Sequence, residues 1–401
     1  PGIPASGWVR LRVLLAGICG SDIGYLTYAS SPVMEPFGSF PAVLGHEILA
    51  EVEEVGPGVD DIAIGRRVVV DPMISCSVRG YQDDCPSCRA GLAAPCERAG
   101  EEAPLEVGGR SPSPGLTVGY HPDLPGGWGE RLIANRSQIF PVPDELDDRT
   151  AVLTEPLSIG MHAALECRPL GRGPVLVIGS GPIALGAIWA LRSVGFPGQI
   201  VGQTKRSHEA RLARLLGASR VVSPGDDARQ ALIDTGAMAY QPIVGSEVYS
   251  GGGFPLIFDC VGSRSSVEQS LRYAAPRGRV VLLGCAGELQ KLDLTFLWAR
   301  ELDVKGFVGY GRERWPGDES DSGEEPDAGG MQEGAAMDAA GMAREPGQAH
   351  TFDITLDALR RTGSRAQEMV THVFPLEQYR DALSAASDHG KSGAVKVLLE
   401  P

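Results

Sequence analysis

The sequence predicts an α/β protein in which a doubly wound parallel sheet stands beside a separate β-rich domain. Up to about residue 140 the chain is broken by Gly and Pro, and residues 9–15 alternate as a half-buried strand does. After Glu155, apolar strands alternate with apolar helices, which is typical of a parallel sheet covered on both faces. A chain of 401 residues is long enough for two cores.

The predicted elements follow in order along the chain. In the β-rich part, period-two runs and turn residues predict three strands in a small barrel or sandwich, at 9–15, 48–55 and 61–70. Apolar runs in the second part predict strands at 174–179, 199–202, 220–223, 255–260 and 279–284, with helices at 183–194 and 209–216. A helix at 352–361 and a strand at 394–399 are predicted near the C-terminus.

Residues 313–349 differ in composition from the rest of the chain. Gly, Ala, Asp, Glu and Met dominate there, with almost no β-branched or aromatic residues. Such a segment buries too little apolar surface to offset its ordering entropy, so we predict a flexible acidic insertion. A solvated loop is the simpler interpretation, and a partner-binding segment is the alternative.

Charge and hydropathy exclude several kinds of partner. The formal net charge of −15 argues against nucleic acid and against an anionic membrane surface. No apolar run reaches the roughly 18 residues that a membrane-spanning helix needs, and no signal peptide is visible. We therefore expect a cytoplasmic protein, whose eight cysteines are ligands or buried thiols rather than disulfides.

A glycine-rich loop between a predicted strand and a predicted helix indicates a dinucleotide site. Glycines in such a loop permit a tight turn and a close approach to a pyrophosphate, which the helix N-terminus attracts. The candidate cofactor-binding residues of this loop are Gly179, Ser180, Gly181, Pro182, Ile183 and Ala184.

The end of the next predicted strand bears on the choice of cofactor. An NAD site normally places an acidic residue there for the ribose hydroxyls. This chain has Thr204, Lys205 and Arg206 instead, and their hydroxyl and cations could hold a 2′-phosphate. We predict NADP(H) in preference to NAD(H), although solvated surface cations would give the same pattern.

Two sets of metal-ligating residue types occur in the first 155 residues. Cys19, His46, Glu47 and Glu155 offer a thiolate, an imidazole and carboxylates, the ligand types of a catalytic zinc that keeps one position open. A second set fills all four positions with thiolates and predicts a structural zinc; it consists of Cys76, Cys85, Cys88 and Cys96.

These motifs occur in the order found in zinc-dependent medium-chain dehydrogenases/reductases, a family that the chain resembles over nearly its whole length. The Glu-Pro-Leu motif is more similar to the polyol, sugar and threonine dehydrogenase branch. The motifs are Gly17-Ile-Cys19-Gly-Ser-Asp22, Gly45-His46-Glu47, the four cysteines, Glu155-Pro156 and the glycine loop.

The resemblance implies a division into domains. A β-rich GroES-like catalytic domain is expected over 1–158, with the structural-zinc lobe at about 76–96. A Rossmann cofactor domain is expected over 159–306, and the chain then returns to the catalytic domain over 307–401, interrupted by the 313–349 insertion. Homodimers or homotetramers are also expected from the family.

The resemblance further implies catalytic roles. Cys19 and His46 are expected to bind the catalytic zinc, and Glu47 and Glu155 are each candidates for a direct ligand or a group reached through water. Asp22 is expected to orient His46, and Ser21 to relay the substrate proton. Many relatives complete that relay with a His five positions after the first Cys, where this chain has Gly24.

The predicted function is zinc-dependent hydride transfer between NADP(H) and an alcohol or carbonyl compound, most simply a polyol, sugar or related polar alcohol. One alternative is an NADPH-dependent aldehyde or ketone reductase. An alternative of another class is a non-catalytic NADPH-binding protein of the same fold. Tyr25, Tyr28, Trp128 and Trp298 are candidates for the wall of the substrate pocket.

Overall fold

Two large sheets organise the part of the chain that the computed structural model describes, namely residues 1–29, 32–34, 38, 40–169, 171–285, 287–315 and 347–401. The strands are β1 (Trp8–Ile18), β2 (Ile48–Val55), β3 (Arg67–Val70), β4 (Arg131–Asn135), β5 (Ile139–Pro141), β6 (Val175–Ile178), β7 (Ile200–Gln203), β8 (Arg220–Val222), β9 (Met238–Tyr240), β10 (Val248–Ser250), β11 (Phe254–Asp259), β12 (Ala274–Leu282), β13 (Asp303–Gly306), β14 (Arg312–Arg314), β15 (Gln348–His350), β16 (Val370–Pro375) and β17 (Lys396–Glu400).

The α-helices connect these strands. They are α1 (Gly20–Leu26), α2 (Pro86–Arg89), α3 (Asp148–Ala151), α4 (Thr154–Glu166), α5 (Pro182–Ser193), α6 (Ser207–Leu215), α7 (Asp226–Ile233), α8 (Arg264–Tyr273), α9 (Thr295–Ala299), α10 (Thr351–Thr362), α11 (Tyr379–Ser387) and α12 (His389–Ser392). Among the described residues, no helix is both long enough and apolar enough to cross a bilayer.

The first sheet joins the two ends of the described chain. Its order is β16-β17-β1-β2-β3-β5, with β4 also pairing with β1, and every pair except β16–β17 is antiparallel. The alternating apolar side chains of β1 lie in the core, where Val9, Leu11 and Val13 are buried. Because β17 pairs with β1, the C-terminal strand lies beside the strand that leads to Cys19.

The second sheet is parallel and lies in the middle of the chain. Its order is β13-β12-β11-β6-β7-β8, and all five pairings are parallel. All four residues of β6 are buried, as expected for a strand with helices on both faces. This is the doubly wound parallel sheet that the sequence predicts.

Helix α4, which the sequence did not predict, packs closely against α5. Gly160 and Gly186 permit this approach, since a Cβ on Gly160 would lie 2.6 Å from the carbonyl carbon of Gly186. The apolar side chains of the two helices belong to one core cluster. Glu155, in the first turn of α4, is therefore held by a rigid support.

One predicted strand is shorter in the structure, and one observed hairpin was not predicted. The strand predicted over 61–70 is ordered as a strand only at β3, because residues before it form a turn in which Gly65 has φ of +83°. The sequence also gave no indication of the β9–β10 hairpin.

The acidic insertion predicted over 313–349 is not irregular at its two ends. β14 and β15 pair there as an antiparallel ribbon, with Glu313 opposite Ala349. Glu313 is buried, lies 2.5 Å from Nδ1 of His162 and accepts a hydrogen bond from Thr351. These contacts explain why the two ends of this acidic segment form paired strands. Residues 316–346 lie outside the described residues.

Candidate metal and cofactor sites

The paired strands β1 and β2 bring the first three predicted metal ligands together. Cys19 directly follows β1, and His46 and Glu47 directly precede β2, whose Ile48 pairs with Ala16. One ligand atom from each of these three residues lies within 4.8 Å of the other two. A single ion could therefore contact all three side chains.

Asp22 holds Cys19 and His46 in place from the first turn of α1. Its Oδ2 accepts a hydrogen bond of 2.8 Å from the backbone N–H of Cys19, and its Oδ1 lies 3.3 Å from Nδ1 of His46. Asp22 itself is fully buried. A carboxylate behind an imidazole orients the ring, so the geometry agrees with the role expected for Asp22.

The electrostatics of this group favour a thiolate at Cys19. Burial by itself would raise the pKa of the Cys19 thiol, but hydrogen bonding and charge interaction with His46 outweigh it and lower that pKa. Burial would likewise lower the pKa of His46, which Asp22 and Cys19 instead raise well above its usual value. The thiolate is the form of cysteine that binds a metal, and metal binding would displace the proton from His46.

Two glycines make room for the His46-Glu47 turn. Gly45 has φ of +95°, and a Cβ there would overlap the ring of Trp128. A Cβ on Gly17 would overlap the Glu47 carboxylate. Trp128 donates a hydrogen bond of 3.2 Å to the Gly17 carbonyl, so its ring packs against this turn.

Glu47 forms a buried ion pair that sequence reasoning missed. Nζ of Lys396 lies 2.6 Å from Oε2 of Glu47, bonds to Oε1 as well, and donates to the Ile18 carbonyl at 3.2 Å. Each side chain is only 1% exposed. The only sign of this ion pair in the sequence was a single charged residue, Lys396, in the otherwise apolar strand predicted at 394–399.

Glu155 lies near Cys19, His46 and Glu47, but it is not among the residues whose ligand atoms all lie within 4.8 Å of one another. Its Oε1 accepts a hydrogen bond from the Tyr310 hydroxyl, a contact that nothing in the sequence indicated. Burial raises the pKa of Glu155 well above its usual value; the charges of Glu47 and Cys19 raise it further, whereas that of His46 lowers it. Glu155 is therefore close enough to these three side chains to interact with their charges.

The donor set fits a divalent zinc ion. The buried carboxylates of Glu47 and Glu155 and the half-buried thiol of Cys19 lie near one another, with His46 and Lys396 as cationic groups that act on them. A thiolate, an imidazole and a carboxylate match the ligands of zinc sites that keep one position open. The residues present could hold such an ion.

The four remaining predicted metal ligands also lie together. Cys76, Cys85, Cys88 and Cys96 are all buried, and one sulfur from each lies within 4.8 Å of the others. Backbone N–H groups of Cys76, Cys85 and Cys88 donate to sulfurs of the set at 3.4–3.5 Å. Cys76 thus lies with the other three, although nine positions separate it from Cys85. No cysteine of the chain is in a disulfide.

Arg79, which the sequence analysis did not single out, is buried against these cysteines. Its Nη2 donates to the Gly115 carbonyl, while Nε and Nη1 are buried without a nitrogen or oxygen partner among the described residues. A set of four thiolates around zinc carries excess negative charge, which this guanidinium is placed to offset. The pKa of Cys96 is lowered to about 5, first by hydrogen bonding to Cys88 and also by Arg79.

The predicted glycine loop connects β6 to α5, which is the placement expected for a dinucleotide-binding loop. Gly179 has φ of +129°, and a Cβ there would lie 3.2 Å from that of Ala184. Gly181 is the N-cap of α5, and Pro182 occupies its first turn, with Ile183 following. In the described part of the chain, no atom lies within 4 Å of a Cβ built on Gly181, so the backbone beside Ser180 has room for a ligand.

Thr204, Lys205 and Arg206, predicted to distinguish NADP(H) from NAD(H), follow β7, the strand that pairs with β6 before this loop. Thr204 is buried, Lys205 is exposed, and Arg206 donates to Oε1 of Glu209 at 2.7 Å. Oε2 of Glu209 accepts from the backbone N–H groups of Lys205 and Arg206. Because protein donors already occupy the Glu209 carboxylate, this acid does not serve as the missing ribose acceptor.

Comparisons with known proteins agree with this architecture. Residues 5–144 match the model of the alcohol dehydrogenase GroES-like domain, and residues 182–321 match that of zinc-binding dehydrogenases. A sorbitol dehydrogenase of Arabidopsis thaliana is 30% identical over 314 residues, which cover 77% of this chain and 75% of that protein. The chain belongs to the zinc-dependent medium-chain dehydrogenases/reductases.

Solved structures of other dehydrogenases share the fold. An alcohol dehydrogenase from Escherichia coli CFT073, complexed with NADH, has a TM-score of 0.71 at 22% identity. A protein from Sinorhizobium meliloti 1021 described as a zinc-binding dehydrogenase, bound to NADP, has a TM-score of 0.68 at 27% identity. Each alignment covers 100% of this chain and 94% of the other.

As a member of this family, the protein is an oxidoreductase that acts on CH–OH groups and uses zinc and a nicotinamide cofactor. The predictions of family, fold class and enzyme class are confirmed. The individual site roles, the domain boundaries and the preference for NADP(H) stay predictions.

Proposed function

We propose that this medium-chain dehydrogenase/reductase transfers hydride between NADP(H) and the carbinol carbon of a polyol, sugar or related polar alcohol. The observation that carries the proposal is the convergence of Cys19, His46 and Glu47, with Glu155 beside them. The similarity to a sorbitol dehydrogenase supports the class of substrate.

In this proposal Cys19, His46 and Glu47 hold the catalytic zinc, and Glu155 binds through water. The carboxylate of Glu47 lies within reach of the thiolate and the imidazole, which supports it as the direct ligand. When bound, zinc supplies Lewis-acid polarisation of the substrate oxygen. Ser21 would accept the substrate's hydroxyl proton and pass its own hydrogen on to water, and a bound nicotinamide would supply the hydride acceptor.

The choice of NADP(H) rests on the residues that follow β7, the strand paired with β6. Lys205 and Arg206 supply two cations at that strand end, and Glu209 fixes the direction of the Arg206 side chain. The NADP-bound structure from Sinorhizobium meliloti, at 27% identity, supports this choice.

The test is a substrate panel assayed by nicotinamide absorbance with both cofactors. Polyols, sugars, sugar acids and amino-alcohols are offered for oxidation, and aldehydes and ketones for reduction. We expect oxidation of at least one polar alcohol with NADP. Turnover with NAD alone would overturn the cofactor assignment, and reduction without measurable oxidation would favour the reductase.

The metal assignment is tested separately by zinc content. Glu47→Gln is expected to lose the catalytic zinc, whereas Glu155→Gln is expected to retain it. The reverse pattern would exchange the two roles. Zinc-loaded protein that turns over no member of the panel would refute the proposed function.

A further inference from the structure

Tyr120 contacts the proposed proton-relay residue, although no motif of the sequence contains it. This tyrosine lies in the segment between the four-cysteine lobe and β4. Its hydroxyl oxygen lies 2.9 Å from Oγ of Ser21 and 2.8 Å from Oδ1 of Asp22. Ring contacts fix it further, with centroid distances of 4.9 Å to Tyr25 and 5.2 Å to His46.

The chemistry of the three groups determines how the hydrogens are shared. A phenol has one hydrogen to donate and lone pairs to accept with, whereas an ionised carboxylate can only accept. Asp22 is fully buried, and it also receives the backbone N–H of Cys19. With the phenol hydrogen directed at Asp22, the phenol oxygen becomes an acceptor for the hydroxyl of Ser21.

This arrangement bears on how Ser21 meets its substrate. A serine hydroxyl with no fixed partner rotates among staggered positions, and only some of them turn its lone pairs toward an incoming hydroxyl. A hydroxyl whose hydrogen is committed to Tyr120 presents its lone pairs on the other side. Many relatives complete the proton relay with a His at the position that Gly24 occupies here, so this chain has no imidazole there.

We propose that Tyr120 is a positioning residue that holds the Ser21 hydroxyl in the orientation that accepts a hydrogen bond from the substrate alcohol. The inference rests on the proposed function, because it gives Ser21 the role of proton acceptor. Tyr120 acts through Ser21 and touches neither hydride donor nor acceptor. Its removal should therefore affect turnover more than binding.

The main test is Tyr120→Phe, which removes one oxygen and keeps the ring contacts. We expect kcat to fall about 10–100-fold, at or below the roughly 10²–10⁴-fold that a proton-transfer group itself contributes, because Ser21 remains in place, while KM for the alcohol changes less than about twofold. Zinc content and the absorption spectrum of the cobalt-substituted protein should match the wild type. Tyr249→Phe is the matched control, since it removes a tyrosine–carboxylate hydrogen bond of 2.7 Å to Glu247 in the distant hairpin and should leave kcat unchanged.

A double-mutant cycle separates positioning from a general structural role. If Tyr120 acts through Ser21, adding Tyr120→Phe to Ser21→Ala should lower kcat by less than about twofold, because residues that act as a unit are non-additive. An equal loss in both backgrounds would overturn the inference. So would loss of zinc or a changed cobalt spectrum in Tyr120→Phe.

A structural readout keeps this inference distinct from the proposed function. In crystals of Tyr120→Phe, the Ser21 side chain should occupy more than one rotamer, whereas the wild type should show one. A single unchanged rotamer in the variant would overturn the role of Tyr120 whether or not the enzyme turns over. An active wild type with normal turnover in Tyr120→Phe would refute this inference alone.

Discussion

At the scale of single residues, the Glu47–Lys396 pair is the contact whose loss should be most costly. Both side chains are 1% exposed, so Lys396→Met leaves a carboxylate buried without its partner. We expect this variant to lower the free energy of unfolding by about 3–5 kcal/mol. Urea denaturation of the metal-free protein measures the change, and Lys391→Met, at an ion pair whose lysine is 90% exposed, is the control.

A double variant shows whether the loss comes from the unpaired charge. Adding Glu47→Gln to Lys396→Met removes the stranded carboxylate and should recover a large part of the lost stability. If the double variant is no more stable than Lys396→Met, the cost comes from packing of the lysine stem rather than from charge.

The proposed preference for NADP(H) also depends on single side chains. Lys205→Ala should raise KM for NADP(H) about tenfold or more, since charge-assisted hydrogen bonds contribute roughly 1.5–3 kcal/mol. KM for NAD(H) should stay the same, because NAD(H) has no 2′-phosphate. Steady-state kinetics with both cofactors give the ratio, and Arg214→Ala, an exposed position on α6, should change neither value.

At the scale of elements, the four-cysteine lobe should behave as a metal site of its own. Cys88→Ser should lower the zinc content from about two to about one ion per chain, because a closed thiolate site needs all four ligands. Metal analysis of purified protein measures this, and Cys167→Ser, a buried cysteine outside the lobe, should keep both ions. An unchanged zinc content in Cys88→Ser would contradict the structural assignment.

The β9–β10 hairpin should make a pH-dependent contribution to stability. Hydrogen bonding to Arg229, and then to Tyr249, lowers the pKa of Glu247 to about 2. A depressed pKa means that the stabilisation is complete above the ordinary value near 4.5 and is lost as pH falls toward 2. Glu247→Gln should therefore melt below the wild type at pH 7, with the two melting temperatures converging near pH 2.

Sequence patterns predicted the elements best where a motif or a period repeated locally. The strand at 48–55 coincides with β2, and the helix at 183–194 differs from α5 by one residue at each end. The glycine loop and the cysteine clusters were visible because backbone conformation and metal coordination restrict residue type. The contacts of Tyr120, Tyr310 and Arg79 were not, since their partners lie 36 to 155 residues away and no local pattern specifies them.

At the scale of the whole molecule, the edge of the parallel sheet indicates how two copies could pair. β13 is an end strand of the described sheet, and all four of its residues are exposed. Trp298, in the helix α9 that precedes β13, is 72% exposed. Tyr28, the other exposed candidate for the pocket wall, follows α1 and is 84% exposed. An unpaired edge with apolar neighbours favours strand pairing with a second copy, in line with the expected homodimer.

This prediction is tested by light scattering after gel filtration. The wild type should have the mass of a dimer or a larger oligomer, and Val304→Pro should lower it, because proline removes a hydrogen-bond donor from β13. Val244→Pro, at the exposed tip of the hairpin, should leave the mass unchanged. A monomeric wild type would contradict the expectation.

The pairing of β17 with β1 has a consequence for synthesis on the ribosome. Glu47 and Lys396 are separated by 349 positions, which take about 20–70 s to translate at typical rates of 5–20 residues per second. Throughout that interval the nascent chain carries the Glu47 carboxylate without its cation, while Cys19 and His46 have already emerged. We therefore expect chains released before β17 to expose an incomplete metal pocket. Pairing of β17 with β1 would then be the step that completes the first sheet and the pocket beside it.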